Sequence, residues 1–265
     1  MNRINDVFKH QQSVFITYLV CGDPDINSTL KMMHSMVENG VDLIELGIPF
    51  TDPIADGPVI QRGIERALKN KVSLSDILNL VSKFREKNKT TPIVLMGYMN
   101  PIENMGYKKF SLQAKSKGVD GLLIVDLPPE EAGSINKELS KNKLCQIFLA
   151  SPTTEDKRLK AIARYSSGYL YYVSLKGITG SSLLSYQPIK KRISRIKKLS
   201  NNKIPITVGF GIKTPEAARK ISMFCDGIII GSSIVELIDK NRKNKALMHK
   251  KINNFVKSVK SSLVN

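Results

Sequence analysis

Apolar residues along the chain fall into short runs, separated by longer stretches in which they recur every three or four positions. A short apolar or alternating run reads as a buried strand, and the three-to-four spacing reads as an amphipathic helix. Strand-like runs occupy 13–20, 41–48, 92–98, 121–126, 146–150, 168–174, 204–209 and 227–230. Helical patterns occupy 28–39, 59–69, 75–87, 107–117, 129–141, 155–165, 188–199 and 215–224. Within 75–87, Ile77, Leu78, Val81 and Phe84 share one face, and Ser82, Lys83, Arg85 and Glu86 are expected to face out. A further amphipathic helix is predicted over 245–263, and a short helix precedes the first strand.

Strict alternation of strand and helix implies parallel strands covered by helices. An open doubly wound sheet and a closed barrel both satisfy it. Eight strands in 265 residues favour the barrel. The first strand-to-helix turn, Cys21-Gly22-Asp23-Pro24, also lacks the glycine spacing of a dinucleotide-binding open sheet. No linker, fixed-period repeat or low-complexity tract divides the chain. Residues 1–265 therefore read as one α/β domain, a (β/α)8 TIM barrel with an extra N-terminal helix and a C-terminal helical extension.

Composition narrows the setting. No apolar run reaches the roughly 18 residues of a membrane span, and the first residues carry no apolar core of a secretory signal. Cys21, Cys145 and Cys225 lie far apart without metal-site spacing, so reduced thiols in a cytoplasmic protein are expected. Lys and Arg number 41 against 23 Asp and Glu, a formal net charge of +18. That excess is able to attract nucleic acid or an anionic surface. It comes, however, from 31 Lys and only 10 Arg, spread along the helical segments without interleaved aromatics. The longest basic stretch, 190–198, also carries the apolar face of a helix through Ile193 and Ile196. The charge reads as a solvated lysine surface, with no nucleic-acid or membrane partner expected.

In a barrel of this kind the chemistry lies at the C-terminal strand ends. Strand side chains alternate, so Leu43, Glu45 and Gly47 share one face while Ile44, Leu46 and Ile48 share the other. The fully apolar set belongs under the helices, which puts Glu45 inside. A carboxyl among apolar walls has its charged form penalised and its pKa raised, as a general acid/base requires. The other reading is a structural Glu paired with Lys, but no other strand run carries Lys or Arg in its inner part. The following loop, 49–58, holds three Pro, one Gly, Asp52 and Asp56. Asp56 reads equally as a functional carboxylate or as a turn and cap before the next helix.

Three Gly-rich segments follow successive strands: Gly177-Ile178-Thr179-Gly180-Ser181-Ser182, Gly209-Phe210-Gly211 and Gly231-Ser232-Ser233. The first suggests a lid, and the other two suit backbone N–H groups held against a phosphate. Tyr98, Tyr171 and Phe210 are candidates for a flat apolar pocket or for barrel core. His10, His34 and His249 fall outside these loops, so neither a His relay nor a His metal site is expected. Carboxylate acid/base chemistry on a phosphate-anchored substrate remains.

The stretch Glu45-Leu46-Gly47-Ile48-Pro49-Phe50-Thr51-Asp52-Pro53-Ile54-Ala55-Asp56-Gly57-Pro58 resembles the signature of the tryptophan synthase α-subunit family. The similarity continues through Gly22-Asp23-Pro24, Met96-Gly97-Tyr98-Met99-Asn100-Pro101, Asp126-Leu127-Pro128, Gly177-Ile178-Thr179-Gly180, Gly209-Phe210-Gly211 and Gly231-Ser232, in order. The resemblance implies a lyase of tryptophan biosynthesis that cleaves indole-3-glycerol phosphate by a retro-aldol reaction. It implies Glu45 as the acid/base and Asp56 as the acceptor of the indole N–H. Gly180, Gly211, Gly231 and Ser232 would hold the phosphate. Tyr18, Tyr98, Tyr171 and Phe210 would surround the ring and glycerol, and Thr179 would position Asp56. It further implies a β-subunit partner in an α2β2 heterotetramer, reached through Asp52 and the Thr179 loop. Pyridoxal phosphate would sit only in that partner, and this chain would need neither metal nor cofactor. Leu175-Lys176 and the high net charge depart from the family pattern. A related phosphate-binding barrel, a basic nucleic-acid-binding barrel and an inactive chain that activates a β partner are the competing readings.

Overall fold

The computed structural model describes residues 2–174, 186–209 and 211–263. Eight parallel strands close into a barrel in chain order: β1 Val14–Val20, β2 Leu43–Gly47, β3 Ile93–Gly97, β4 Gly121–Ile124, β5 Cys145–Ala150, β6 Leu170–Val173, β7 Ile206–Gly209 and β8 Gly227–Ile230. β8 returns to pair with β1, which removes both sheet edges. The helices are α1 Arg3–His10, α2 Ile26–Glu38, α3 Pro58–Lys69, α4 Leu74–Lys87, α5 Met99–Met105, α6 Tyr107–Lys117, α7 Gly133–Lys141, α8 Asp156–Tyr165, α9 Gln187–Leu199, α10 Pro215–Ser222, α11 Ser232–Asn241 and α12 Lys245–Leu263. The architecture is the expected single-domain TIM barrel.

Strand alternation splits the core in two. Ile44, Leu46 and Ile48 face outward into the layer between strands and helices. Val14, Ile16, Leu43, Val94, Leu123, Ile147, Tyr169 and Ile229 fill the barrel interior. α1 closes the N-terminal ends of the strands. Its Ile4 is fully buried in the interior set, Phe8 packs on Tyr169 at 5.6 Å between ring centroids, and Asn2 hydrogen-bonds the carbonyls of Asp120 and Lys143. α12 buries Met248, Ile252, Val256 and Val259 and packs against α2, α10 and α11. Lys260 ties it to Asp42 at 2.7 Å.

Two helices departed from the expected plan. α5 follows β3 directly, ended by Gly106 at φ 83°. α11 follows β8 directly, with Ile234, Val235 and Ile238 buried. Both are short, and the apolar spacing is carried by only a few residues. Arg85 also differs: it is buried rather than outward. Its guanidinium donates to Asp120 at 2.9 Å and to the carbonyls of Gly118 and Thr91, while Arg3 takes the other Asp120 oxygen at 2.8 Å. A charge on a helix face is stable inside when a carboxylate and carbonyls absorb its donors.

Candidate active site

A cavity of about 1320 Å³ opens at the C-terminal ends of the strands. Tyr18, Glu45, Asp56, Tyr171, Gly211, Gly231 and Ser232 all line it. Residues brought in from β1, β2, the β2–α3 loop, β6, the segment after β7 and the start of α11 thus meet at one place.

Glu45 sits in mid-β2, opposite Tyr18 of β1 and Val94 of β3, and is fully buried. Its Oε1 accepts a hydrogen bond from the Tyr169 hydroxyl at 2.5 Å. Its Oε2 has no hydrogen-bond partner among the described residues. Burial pushes the carboxyl up to about 7, against the opposing pull of the Tyr169 bond. The group is therefore poised to give or take a proton near neutrality. Sequence reasoning missed Tyr169. The signal was there, because Tyr169 stands two residues before Tyr171 and so shares its inward face.

Asp56 is not a cap of α3. That position belongs to Gly57, which makes no side-chain capping bond. Instead Asp56 Oδ2 accepts from the Tyr98 hydroxyl at 2.7 Å, and the same hydroxyl accepts the Ala55 N–H at 3.1 Å. Tyr98 follows β3 and stacks on Phe50 at 5.2 Å, which braces the loop from both sides. It holds Asp56 from behind and is not among the cavity-lining residues. Burial raises the Asp56 carboxyl, while the Tyr98 bond lowers it. Asp52, on the same loop, is exposed and accepts from the Thr51 hydroxyl at 2.6 Å.

Burial, and after it the charges of Glu45 and Asp56, hold the hydroxyls of Tyr18 and Tyr171 well above the ordinary tyrosine range. Each ring lies across a strand-end glycine. A Cβ at Gly47 would meet the Tyr18 hydroxyl at 2.3 Å, and one at Gly209 would meet the Tyr171 hydroxyl at 2.4 Å. Gly209 thus makes room for a ring, and this is a different role from the phosphate approach expected of its segment.

Gly231 is the N-cap of α11 and Ser232 its first residue, so backbone N–H groups and the positive helix end border the cavity. Gly211 lines the same cavity. Thr179, Gly180 and Phe210 lie outside the described residues. Among the described residues no three His, Cys, Asp or Glu side chains gather into a metal site, and no helix is long and apolar enough to cross a membrane.

The chain as a whole matches a known family. The tryptophan synthase alpha chain profile matches residues 4–264. The tryptophan synthase alpha chain of Neisseria meningitidis serogroup B is 48% identical over 248 residues, spanning 93% of this chain and 94% of that protein. The crystal structure of tryptophan synthase subunit alpha from Legionella pneumophila str. Paris matches with a TM-score of 0.92 at 40% identity, covering 100% of this chain and 99% of that one. A chain of the tryptophan synthase complex from Pyrococcus furiosus matches with a TM-score of 0.83 at 36% identity, over 93% and 97% of the two chains. With the profile spanning nearly its whole length, the chain belongs to the tryptophan synthase alpha chain family.

Proposed function

We propose that this chain cleaves indole-3-glycerol phosphate to indole and glyceraldehyde 3-phosphate. The observation that carries the reading is Glu45: a fully buried carboxyl raised to about 7, with one oxygen held by Tyr169, in the same cavity as Asp56 and the α11 N-terminus. Glu45 starts protonated and delivers its proton to indole C3. The ring becomes cationic, and ionised Asp56 accepts the hydrogen bond of the ring N–H and offsets that charge. The Glu45 carboxylate then takes the proton of the adjacent glycerol hydroxyl. As the C3–C3′ bond breaks, its electron pair returns to the indole ring, and the hydroxyl carbon leaves as an aldehyde. One proton has passed from hydroxyl to C3 and Glu45 is regenerated, so the cycle needs no metal or organic cofactor in this chain.

Gly211, Gly231 and Ser232, with Gly180, hold the phosphate, and Tyr18, Tyr171 and Phe210 enclose the ring and glycerol. Thr179 positions Asp56. The partner is a β subunit carrying pyridoxal phosphate, in an α2β2 assembly in the cytoplasm. Asp52 and Thr179 carry the communication with that partner, and for Asp52 the reading is supported by the loop itself. Asp52 and Ile54, the latter 85% exposed, face outward on the segment that leads to Asp56.

The test is indole release from indole-3-glycerol phosphate by the purified chain, alone and with a β subunit. Release that rises on adding β is expected. A folded chain that releases no indole in either condition would refute the assignment.

A further inference from the structure

Arg66 lies outside the cavity, yet it joins the two helices that carry opposite ends of the site. Its Nε and Nη2 donate to Asp23 Oδ1 and Oδ2 at 2.7 and 2.8 Å, and its Nη1 donates to Asp239 Oδ1 at 2.9 Å. Asp23 is fully buried in the β1–α2 loop, and Asp239 lies on α11. Arg66 is on α3, which begins two residues after Asp56, and α11 begins at Ser232, on the phosphate side of the cavity. One planar guanidinium thus fastens the helix behind Asp56 to the helix behind Ser232, with both secured to the end of β1.

Neighbouring contacts act in the same sense. Asn70, the C-cap of α3, donates to the carbonyls of Gly22 and Pro24 at 3.0 and 2.6 Å. Arg62 and Arg242 approach Asp239 at 3.5 and 3.4 Å. Between the ion pairs and the cavity, Ile60 and Ile64 of α3, Val235 of α11, and Tyr18 and Val20 of β1 form one apolar cluster. Apolar packing of this kind fixes spacing but tolerates sliding, whereas a two-way guanidinium fork fixes orientation.

We propose that Arg66 and Asp239 are positioning residues, which set the distance between the Asp56 carboxylate and the phosphate-holding end of α11. The proposal rests on the function assigned above. A substrate anchored by its phosphate meets Asp56 in register only if α3 and α11 keep their relative pose. Binding of the phosphate alone makes no such demand, since none of the residues assigned to it lies on α3. Misplacement near a reacting centre by about an ångström is enough to cost about a hundredfold in rate.

The decisive variant is Asp239→Ala, because Asp239 is partly exposed and the Asp23–Arg66 pair survives its loss. Arg66→Lys is the second, since Lys keeps the charge but cannot span both carboxylates in one plane. For the full chain, with and without a β subunit, kcat for indole release is measured beside the dissociation constant of glycerol 3-phosphate. The expected result is a kcat lowered about tenfold or more in both variants, with glycerol 3-phosphate binding within about twofold of the parent. An unchanged kcat in both variants, or a proportional loss of kcat and glycerol 3-phosphate binding, would overturn the proposal. An inactive parent chain would instead bring down the substrate assignment and this proposal with it, so the two failures are told apart by the parent.

Discussion

The hydroxyl of Tyr169 stands 2.5 Å from Glu45 Oε1, and it is the bond that restrains the rise of a carboxyl otherwise driven up by burial. Because that bond favours the charged form, its removal lets Glu45 keep its proton to higher pH. In the proposed cycle Glu45 begins protonated, so activity declines as pH rises through its pKa, about 7 in the parent. Tyr169→Phe should move the alkaline limb of kcat/KM for indole release to higher pH. An unmoved limb in a folded variant would detach Glu45 from that limb.

In the same proposed cycle the opposite limb belongs to Asp56, which must be ionised to accept the indole N–H. Tyr98 lowers its pKa by a 2.7 Å hydrogen bond against the upward push of burial. Tyr98→Phe keeps the stacking on Phe50 and deletes only the hydroxyl. The acid limb should therefore shift to higher pH, and kcat should fall because the Asp56 loop has lost its brace. A pH profile of the variant checks both, and an acid limb that stays in place would show that another group sets it.

Glu45→Gln should abolish turnover, a loss of about 10²–10⁴-fold or more for a positioned acid/base, while glycerol 3-phosphate still binds. The same substitution has a signed effect on stability. The Glu45 pKa lies near 4.5 when unfolded and about 7 when folded. Below pH 4.5 both states hold the proton and Glu45 costs nothing by this route. Between the two values the unfolded state ionises first and stability drains away, reaching a constant deficit of about 3 kcal/mol above both. Chemical unfolding should thus find Glu45→Gln more stable than the parent at pH 8 and little changed at pH 4. Equal differences at the two pH values would contradict the folded-state pKa.

The barrel was legible because eight strand-like runs alternate with helical spacing, and Glu45 was legible because Ile44, Leu46 and Ile48 leave it the inner face. What escaped depended on contacts between residues far apart in the chain. Tyr169 reaches Glu45 across 124 positions and Tyr98 reaches Asp56 across 42, and no local pattern encodes either. Arg85 followed helical spacing outward on paper, yet Asp120, 35 positions away, draws it in. Gly209 looked like a phosphate turn, because only the fold reveals the Tyr171 ring lying over it. Periodicity reports which face is buried, and it does not report which polar group on that face finds a partner.

Asp120 shows the energetic weight of such a partner. Its carboxylate receives Arg3, Arg85 and the Ile93 N–H beside the strand N-termini, and Asp120 does not line the large cavity. Asp120→Ala leaves a buried guanidinium without its counter-charge and should cost about 3–5 kcal/mol in chemical unfolding. Measured on the folded fraction, kcat should stay near the parent value. A loss below about 1 kcal/mol would mean that water replaces the carboxylate at little cost.

Ser232 offers a place where stability and binding should part with opposite signs. It is the first residue of α11, where an acidic side chain complements the helix dipole and steadies the helix. The same position borders the cavity where the substrate phosphate is to rest. Ser232→Asp should therefore leave the unfolding midpoint unchanged or raised, while like-charge repulsion and a lost hydrogen bond weaken phosphate binding. Hydrogen bonds to charged groups are worth about 1.5–3 kcal/mol, so the dissociation constant of glycerol 3-phosphate should rise by roughly tenfold to a hundredfold. Because Glu45 and Asp56 are untouched, the loss should appear chiefly in KM for indole-3-glycerol phosphate, with kcat retained at saturation. Normal glycerol 3-phosphate binding in a stable Ser232→Asp chain would move the phosphate away from α11. The anchor would then fall to Gly211 and its neighbours, and the Arg66 link would lose its reason.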